Sequence, residues 1–519
     1  MNCPLKNNDG RADLKVIAGM ALFLLVALAL GPFIAKKIYH VPTRLDLLVF
    51  VTLLILVPVM KYPTVGVYFL ILVPPFIPLL RRFYYLFYDR PGNDLLLILP
   101  DVVVMLLFIL YLDQVRKRRK IRSEDPRLNA WIWAFVLYNA SRIVLLTYND
   151  TMGGINQFKF NMLYLLCFFF AIHFIETKQQ VVRIFKITSL IGLVVALYGI
   201  KQTYLGYTRF EEIWLDQMRS SFVTLFISGR PRPFSTLSSP ATFGDFMIIA
   251  FLTSYCLYSM KGTRFRWLYL FILPVLSFGL LLTSVRSNWV GFLAGMAIWF
   301  LIAHRSSFRI KLGLFILIIV FYFPLSILME QMGRGGTAGP IYGTATPTAV
   351  RMAAPGAKGI TDLFVTERVS AITNPFQEHS MVARTVMWQQ VLSQIVELPR
   401  GPMGYGLGTF DAHSLYFTTL FETGFIGLFL LLFVFYRIFR AGFRAYREEE
   451  EEDKKIMVRG LLTLLFVFVI MNSTGTHIDA HPGDIYFWFS AGILMVIRTL
   501  KSGREEELQL LAARIRDAT

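Results

Sequence analysis

Cysteine is scarce in this chain. Three occur in 519 residues: Cys3 in a short polar N-terminal stretch, and Cys167 and Cys256 inside apolar runs. That usage excludes a disulfide framework and a thiolate metal cluster. Charge is thin as well, at 17% of residues, and there are only seven histidines. No internal repeat is visible, which argues against a secondary transporter built from duplicated halves. Acidic residues are outnumbered, 34 against 52 lysines and arginines, for a net charge of +18. The basic residues are scattered over short loops between apolar runs, so they do not form a nucleic-acid surface. They report orientation instead, because Lys and Arg gather on the cytoplasmic side of a membrane protein.

What is abundant is apolar surface. Hydrophobic residues make up 55% of the chain and aromatics 15%, well outside soluble norms. The expected fold is all-α and polytopic. About fourteen runs are long enough to span a membrane: 14–35, 45–60, 64–80, 94–112, 130–148, 159–176, 185–203, 241–259, 267–283, 288–303, 312–329, 414–435, 459–475 and 485–499. The first is read as an anchor and not a cleaved signal, because polar residues precede it and further spans follow. With the N-terminus inside, the basic loops 116–120, 261–266, 305–311 and 437–455 all fall in the cytoplasm. Lys36-Lys37 and Arg81-Arg82 run against that rule.

This pattern divides the chain into N-terminal spans (1–203), an outer loop (204–240), central spans (241–329), a large outer loop (330–413), C-terminal spans (414–499) and a cytoplasmic amphipathic tail (500–519). Both outer loops are too long for simple connections. Inside the second, Ser380 to Glu397 reads as a short amphipathic helix. Met387, Trp388, Val391 and Ile395 form its apolar stripe, which Arg384 extends. The acidic run Glu448 to Asp453, flanked by Arg444, Arg447 and Lys454-Lys455, reads as a solvated, ion-paired helix end.

Candidate chemistry gathers on the outer side. His413-Ser414 stands where a glycine-rich loop opens into a span, with Gly424 and Gly427 deeper in it. Eleven residues at about 100° each would place Gly424 within roughly 20° of the face of His413. Either a general base stands above a seam open to a lipid tail or a neighbouring helix, or a capping histidine stands above a packing face. Asp411, two residues upstream, is a candidate to orient the imidazole, whereas Glu422 lies about 180° around the helix from it. Arg286, in a tight turn between two apolar runs, and Arg230 and Arg232, in a proline-stiffened loop, are outward cations suited to a phosphate. Arg384 is a fourth. Within the spans, Asp101 and Arg142 lie at similar depths, roughly 10 Å, and read first as an ion pair. His477, Asp479 and His481 mix plausible metal ligands, but their spacing matches no metal template.

The segment from Arg384 to Gly427, with Gly404-Tyr405-Gly406-Leu407-Gly408, then His413-Ser414, then Gly424 and Gly427, resembles the signature of the O-antigen ligase and polymerase superfamily. The Ser284-Val285-Arg286 turn and the arginine-bearing outer loop resemble it too. The resemblance implies a multi-pass inner-membrane glycosyltransferase without metal or cofactor. It would move a glycan from undecaprenyl diphosphate to the hydroxyl of a glycan or lipid-linked acceptor at the periplasmic face. His413 would then be the base or acceptor-orienting residue, and Arg286, with Arg230, Arg232 or Arg384, would hold the diphosphate. Membrane lipids, a flippase and a chain-length regulator are the implied partners. Lipopolysaccharide ligases tend to follow the second glycine with two threonines, whereas Leu428-Phe429 stand here, a departure that favours a polymerase. The competing class is a transporter or flippase for a lipid-linked or anionic substrate.

Overall fold

The computed structural model describes residues 56–83, 98–117, 124–146, 151–218, 225–227, 230–263, 265–302, 379–397 and 401–501. The expected span 14–35, most of 45–60, the span 312–329, the loop through 378 and the tail beyond 501 lie outside the described residues.

The described chain is an all-α membrane protein. Its helices are α1 (Pro63–Leu72), α2 (Ile77–Phe83), α3 (Ile98–Arg116), α4 (Leu128–Leu146), α5 (Thr151–Met162), α6 (Leu166–Phe174), α7 (Lys178–Tyr204) and α8 (Arg209–Met218). After a two-residue hairpin, β1 (Phe226–Ile227) with β2 (Arg230–Pro231), follow α9 (Pro240–Ser259), α10 (Arg266–Leu282), α11 (Arg286–Ile302) and α12 (His379–Glu397). Last come α13 (Leu415–Glu448), α14 (Glu452–Met471) and α15 (Gly483–Val496). Among the described residues, six helical segments are long and apolar enough to cross a membrane: Pro63–Phe83, Ile98–Arg116, Met152–Phe174, Lys178–Tyr204, Pro240–Ser259 and Leu415–Glu448.

Local sequence accounts for several helix starts. Thr177 and Gln180 form a reciprocal capping box ahead of α7, and Ser239 with Thr242 does the same for α9, where Pro240 occupies the first helical position. Helices α6 and α15 are buried along every residue, as expected of elements apolar all round, so they form the centre of the bundle. Close crossings use small residues. A Cβ on Gly192 of α7 would lie 2.2 Å from that of Ala250 on α9.

Consecutive helices run to and fro between two ends. At one end, called here the Arg437 end, Arg437 pairs with Asp125, Arg498 reaches Glu124 at 3.2 Å and Glu448 at 2.6 Å, and Lys178 holds Glu451 and Asp453. The acidic run after α13 is therefore ion-paired. Two of its main partners, Lys178 and Arg498, come from other segments and not from the adjacent basic residues. At the other end, the Ser414 end, lie the heads of α9, α11, α13 and α15.

The described residues of 204–240 form a folded cap. Arg82 is buried, donates to the carbonyls of Ser235 (2.8 Å) and Leu237, lies 4.0 Å from Glu211, and stacks over Phe234 and Trp214. Glu211 in turn accepts from Gln202, Tyr198 and Thr208, while Gln202 takes the backbone N–H groups of Phe234 and Ser235. An outward-running arginine thus becomes the anchor of the cap. Tyr207, Trp214 and Phe234 cluster around it.

Candidate active site at the Ser414 end

Helix α13 is not continuous. At Gly424 the backbone takes φ 69°, ψ −168°, a conformation essentially confined to glycine. Breaking the helix frees the carbonyls of Phe421 and Glu422 and the N–H groups of Phe425 and Ile426, and buried backbone groups need partners. The glycine-rich segment 401–408 supplies them in both directions. Tyr405 N–H donates to Phe421 O (2.8 Å) and Gly406 N–H to Glu422 O (2.9 Å). Phe425 N–H donates to Gly401 O (3.3 Å) and Ile426 N–H to Pro402 O (3.2 Å). The two backbones meet so closely that a Cβ on Gly404 would lie 2.5 Å from Glu422 O and Gly424 N, and one on Gly424 would lie 2.4 Å from Pro402 O.

Side chains complete the lock. Glu422, buried, accepts from Gly408 N–H at 2.7 Å. Arg142, buried on α4, lies over the Tyr138 ring and reaches Met403 O at 3.5 Å, and Tyr138 donates to Thr423 O at 2.8 Å. The expected Asp101–Arg142 ion pair is therefore not formed. Asp101 is taken instead by Lys159 and by the Tyr164 hydroxyl (2.6 Å), because α5 brings Lys159 to it. Gly424 and Gly427 are both buried against protein, and Gly427 sits under Thr423 and Tyr138.

This locked loop delivers His413. Ala412 is pinned on both sides, its N–H donating to Thr418 Oγ1 (3.0 Å) and its carbonyl accepting from Trp388 Nε1 (3.0 Å). Leu415 N–H is satisfied by Asn472 O and Gly475 O, so the head of α13 is tied to the α14–α15 connection. His413 itself takes φ +50° and its side chain is 55% exposed. It stands outside the helix, so the expected alignment with Gly424 along one helical face does not describe it. Its N–H donates to Asp411 Oδ1 at 2.8 Å, and Nδ1 lies 3.6 Å from Asp411 Oδ2. That second distance is too long for a hydrogen bond. Glu422 faces Gly408, away from this imidazole.

Near the head of α13 lies a cavity of about 30 Å³ with a mixed lining, in which Asn139, Asn161, Glu422 and Asp479 join Leu415, Leu431 and Trp488, enough for a water molecule. Burial, reinforced by Asp484 and Asp411, pushes the Asp479 carboxyl up to about 7. Its neighbours in the α14–α15 connection turn elsewhere. His477 Nδ1 lies 2.9 Å from Asp245 on α9, whose carboxylate also accepts from Asn288 on α11 (3.0 Å). His481 lies 2.5 Å from Asp484, edge-on to Tyr164. Burial lowers the His481 pKa, but the Asp484 carboxylate outweighs that and the net shift is upward. His477 and His481 thus pair with different carboxylates, Asp245 and Asp484.

The predicted cations share this end. Arg286 opens α11, half-buried, two residues before the Asn288 that holds Asp245 and His477. His477 N–H in turn donates to Asn472, whose carbonyl receives Leu415 N–H. Arg384 is half-buried on α12, one turn before the Trp388 that binds Ala412 O and stacks on Phe417 at 5.0 Å. Arg232 lies in the cap, its N–H bonded to Leu225 O (2.8 Å). Arg230 is placed in β2 by its backbone, and its side chain lies outside the described residues. The Asp245–His477–Asn288 cluster and the Arg82 anchor had no local sequence signal beyond buried polar residues at the ends of apolar runs.

Comparison with family models and with curated proteins finds no match for this chain. The resemblance therefore stands on the residues of 384–427 and on the arginine-bearing turns.

Proposed function

We propose that this protein is a periplasm-facing glycosyltransferase of the bacterial inner membrane, moving a glycan from undecaprenyl diphosphate to an acceptor hydroxyl in exopolysaccharide or O-antigen synthesis. The topology is about fourteen spans with both termini cytoplasmic and outer loops at 204–240 and 330–413. The observation that carries the reading is the display of His413. An imidazole with a carboxylate 3.6 Å away is held outward at a left-handed backbone position, at the end that also bears Arg286, Arg232 and Arg384.

The chemistry follows from these groups. The acceptor oxygen forms a bond to the anomeric carbon as the bond from that carbon to the diphosphate oxygen breaks. The acceptor proton passes to His413, and undecaprenyl diphosphate leaves. Charge grows on the leaving diphosphate, where guanidinium groups stabilise it most. Asp411 stabilises the imidazolium formed in the step. No metal takes part in the step as proposed.

The test is a reconstituted assay with lipid-linked oligosaccharide as donor. His413→Ala is expected to lower transfer by roughly 10²–10⁴-fold while donor binding persists. His413→Gln should be nearly as poor if basicity matters. Arg286→Lys, which keeps charge but loses the fork, should also fall sharply. Full turnover by His413→Ala, or loss of wild-type turnover on adding a chelator, would overturn the assignment.

A further inference from the structure

At the Arg437 end, α13 and the start of α4 enclose a surface cavity of about 320 Å³, lined by Glu124, Asp125, Pro126, Arg127, Arg437, Arg440, Ala441 and Arg444. Four arginines face two carboxylates, and both carboxylates are committed. Asp125 is held by Arg437 through two guanidinium nitrogens, and Glu124 by Arg498. Among the described residues, Arg127, Arg440 and Arg444 have no carboxylate within ion-pair distance, and all three are exposed. The cavity therefore carries uncompensated positive charge in a concave setting, which concentrates an anion more strongly than scattered surface cations do.

Beside the cavity, α13 carries an exposed aromatic strip. Tyr436 and Phe429 of α13 are 55% and 59% exposed. Phe433 stacks with Phe429 at 5.7 Å, meets Trp131 of α4 edge-on at 4.5 Å, and lies beneath the Arg437 guanidinium. At about 100° per residue, Phe429, Phe433 and Tyr436, then Arg437, Arg440 and Arg444, fall within one sector of about 100° on the helix. An exposed aromatic wall thus runs directly into a guanidinium rim.

Depth fits this pairing. The unbroken helix α14 joins the same two ends with twenty residues, Glu452–Met471, or about 30 Å of helix, matching the ~30 Å hydrocarbon thickness of a bilayer. With the head of α13 at one interface, the arginines stand at the headgroup level of the other, and the aromatic wall lies just inside the hydrocarbon. Basic pockets between spanning helices in this position suit anionic lipid headgroups.

We propose that the Arg127/Arg440/Arg444 cavity is a binding site for an anionic phospholipid, its phosphate held by the guanidinium rim and its acyl chains laid along Phe429, Phe433 and Tyr436. Arg437 is already spent on Asp125 and acts as the wall between α4 and α13. This site lies at the opposite end of α13 from His413, and the inference does not rest on the transferase reading.

The test uses the full-length protein, purified in detergent and loaded with phosphatidylglycerol or phosphatidylcholine, with retained lipid counted by native mass spectrometry. Wild type is expected to retain phosphatidylglycerol in preference. Each arginine near the surface contributes about fivefold in affinity, so Arg440→Ala with Arg444→Ala should weaken that preference by about 30-fold. Both positions are exposed, so the melting temperature should hold. Lys261→Ala, which removes a basic residue at the same end but outside the cavity, should change nothing. Excess inorganic phosphate should leave the lipid in place, because it lacks the chains. If the double variant retains phosphatidylglycerol like wild type, or if Lys261→Ala lowers it equally, the site is refuted. If phosphate displaces the lipid, the cavity is a free-anion site and the lipid assignment fails.

Discussion

Gly404 and Gly424 offer the sharpest test of how the candidate site is held. A Cβ added at Gly404 falls 2.5 Å from the carbonyl carbon and oxygen of Glu422 and from Gly424 N. All three are backbone atoms, so no rotamer change relieves the clash, and segment 401–408 must move. That movement breaks Tyr405 N–H to Phe421 O and Gly406 N–H to Glu422 O, each worth about 1 kcal/mol. Alanine at φ +72° adds about 1 kcal/mol of backbone strain, for about 3 kcal/mol in all. Gly424→Ala should cost about as much, since its Cβ meets Pro402 O and Gly404 N and its conformation excludes other residues. The two costs share one displacement. The double variant should therefore lose about 4 kcal/mol and not about 6, a coupling of about 2 kcal/mol in a double-mutant cycle. Equilibrium unfolding in mixed micelles measures this. Additivity within about 0.5 kcal/mol, or wild-type stability of either single variant, would refute the reciprocal contact. In transfer assays both singles should also be impaired, because the displaced loop carries Ala412 and His413.

Other expectations follow from the same geometry. Asp479, pushed up to about 7, is protonated in the fold below that pH, whereas in the unfolded chain it ionises from its ordinary value of 3.8 upward. Its contribution is therefore fully present at low pH and lost as pH rises through about 7. Asp479→Asn should be near neutral at pH 4 and stabilising by up to about 4 kcal/mol at pH 8, and a pH-independent effect would refute the shift. Asp245→Ala leaves His477 Nδ1 and Asn288 Nδ2 without their shared carboxylate and should destabilise by about 2–4 kcal/mol, whereas an unchanged melting temperature would show the cluster to be incidental. Arg82→Lys loses the fork that binds Ser235 O and Leu237 O, so limited proteolysis within 204–240 should become faster. For topology, an impermeant thiol reagent applied to intact cells should label Leu205→Cys but not Lys261→Cys, and the reverse pattern would invert the reading of both ends.

The parts of this fold that were legible in the sequence are those written in side-chain periodicity. Long apolar runs announced the helices, and Met387, Trp388, Val391 and Ile395 announced α12, whose Val391 and Ile395 are buried against the head of α13. What was hidden is backbone pairing. The 401–408 segment meets the Gly424 break through amides and carbonyls, which leave no pattern except the glycines themselves. Gly424 therefore read as a small residue on a continuous helix face. Long-range cations were equally opaque. Arg82 looked like an orientation outlier because nothing near it in sequence shows that it binds carbonyls more than 150 positions away. Arg142 and Asp101 lie at matching depths, yet each found a partner on an element that depth alone does not rank.

The break in α13 also bears on why an imidazole is presented here at all. A histidine within the first turn of an unbroken helix would turn with the helix surface and meet neighbouring spans. His413 avoids that because it precedes the helix, and its position is set from three directions: Trp388 and Thr418 on Ala412, Asp411 on its own N–H, and Asn472 beyond it on Leu415. The glycine-rich segment closes the fourth side by fastening onto the Gly424 break, eleven residues further along the chain. Catalytic groups lose orders of magnitude in rate when displaced by about 1 Å, so a base on a loop requires this kind of bracing. The bracing also separates two roles. Substitution of Thr418 should lower turnover with little change in donor affinity, because it touches the support of His413 through Ala412 and not the arginines, and Trp388→Phe, which keeps the ring but loses the bond to Ala412 O, should do the same. If instead they weaken donor binding and leave turnover intact, the head of α13 is part of the diphosphate site and His413 is not its base.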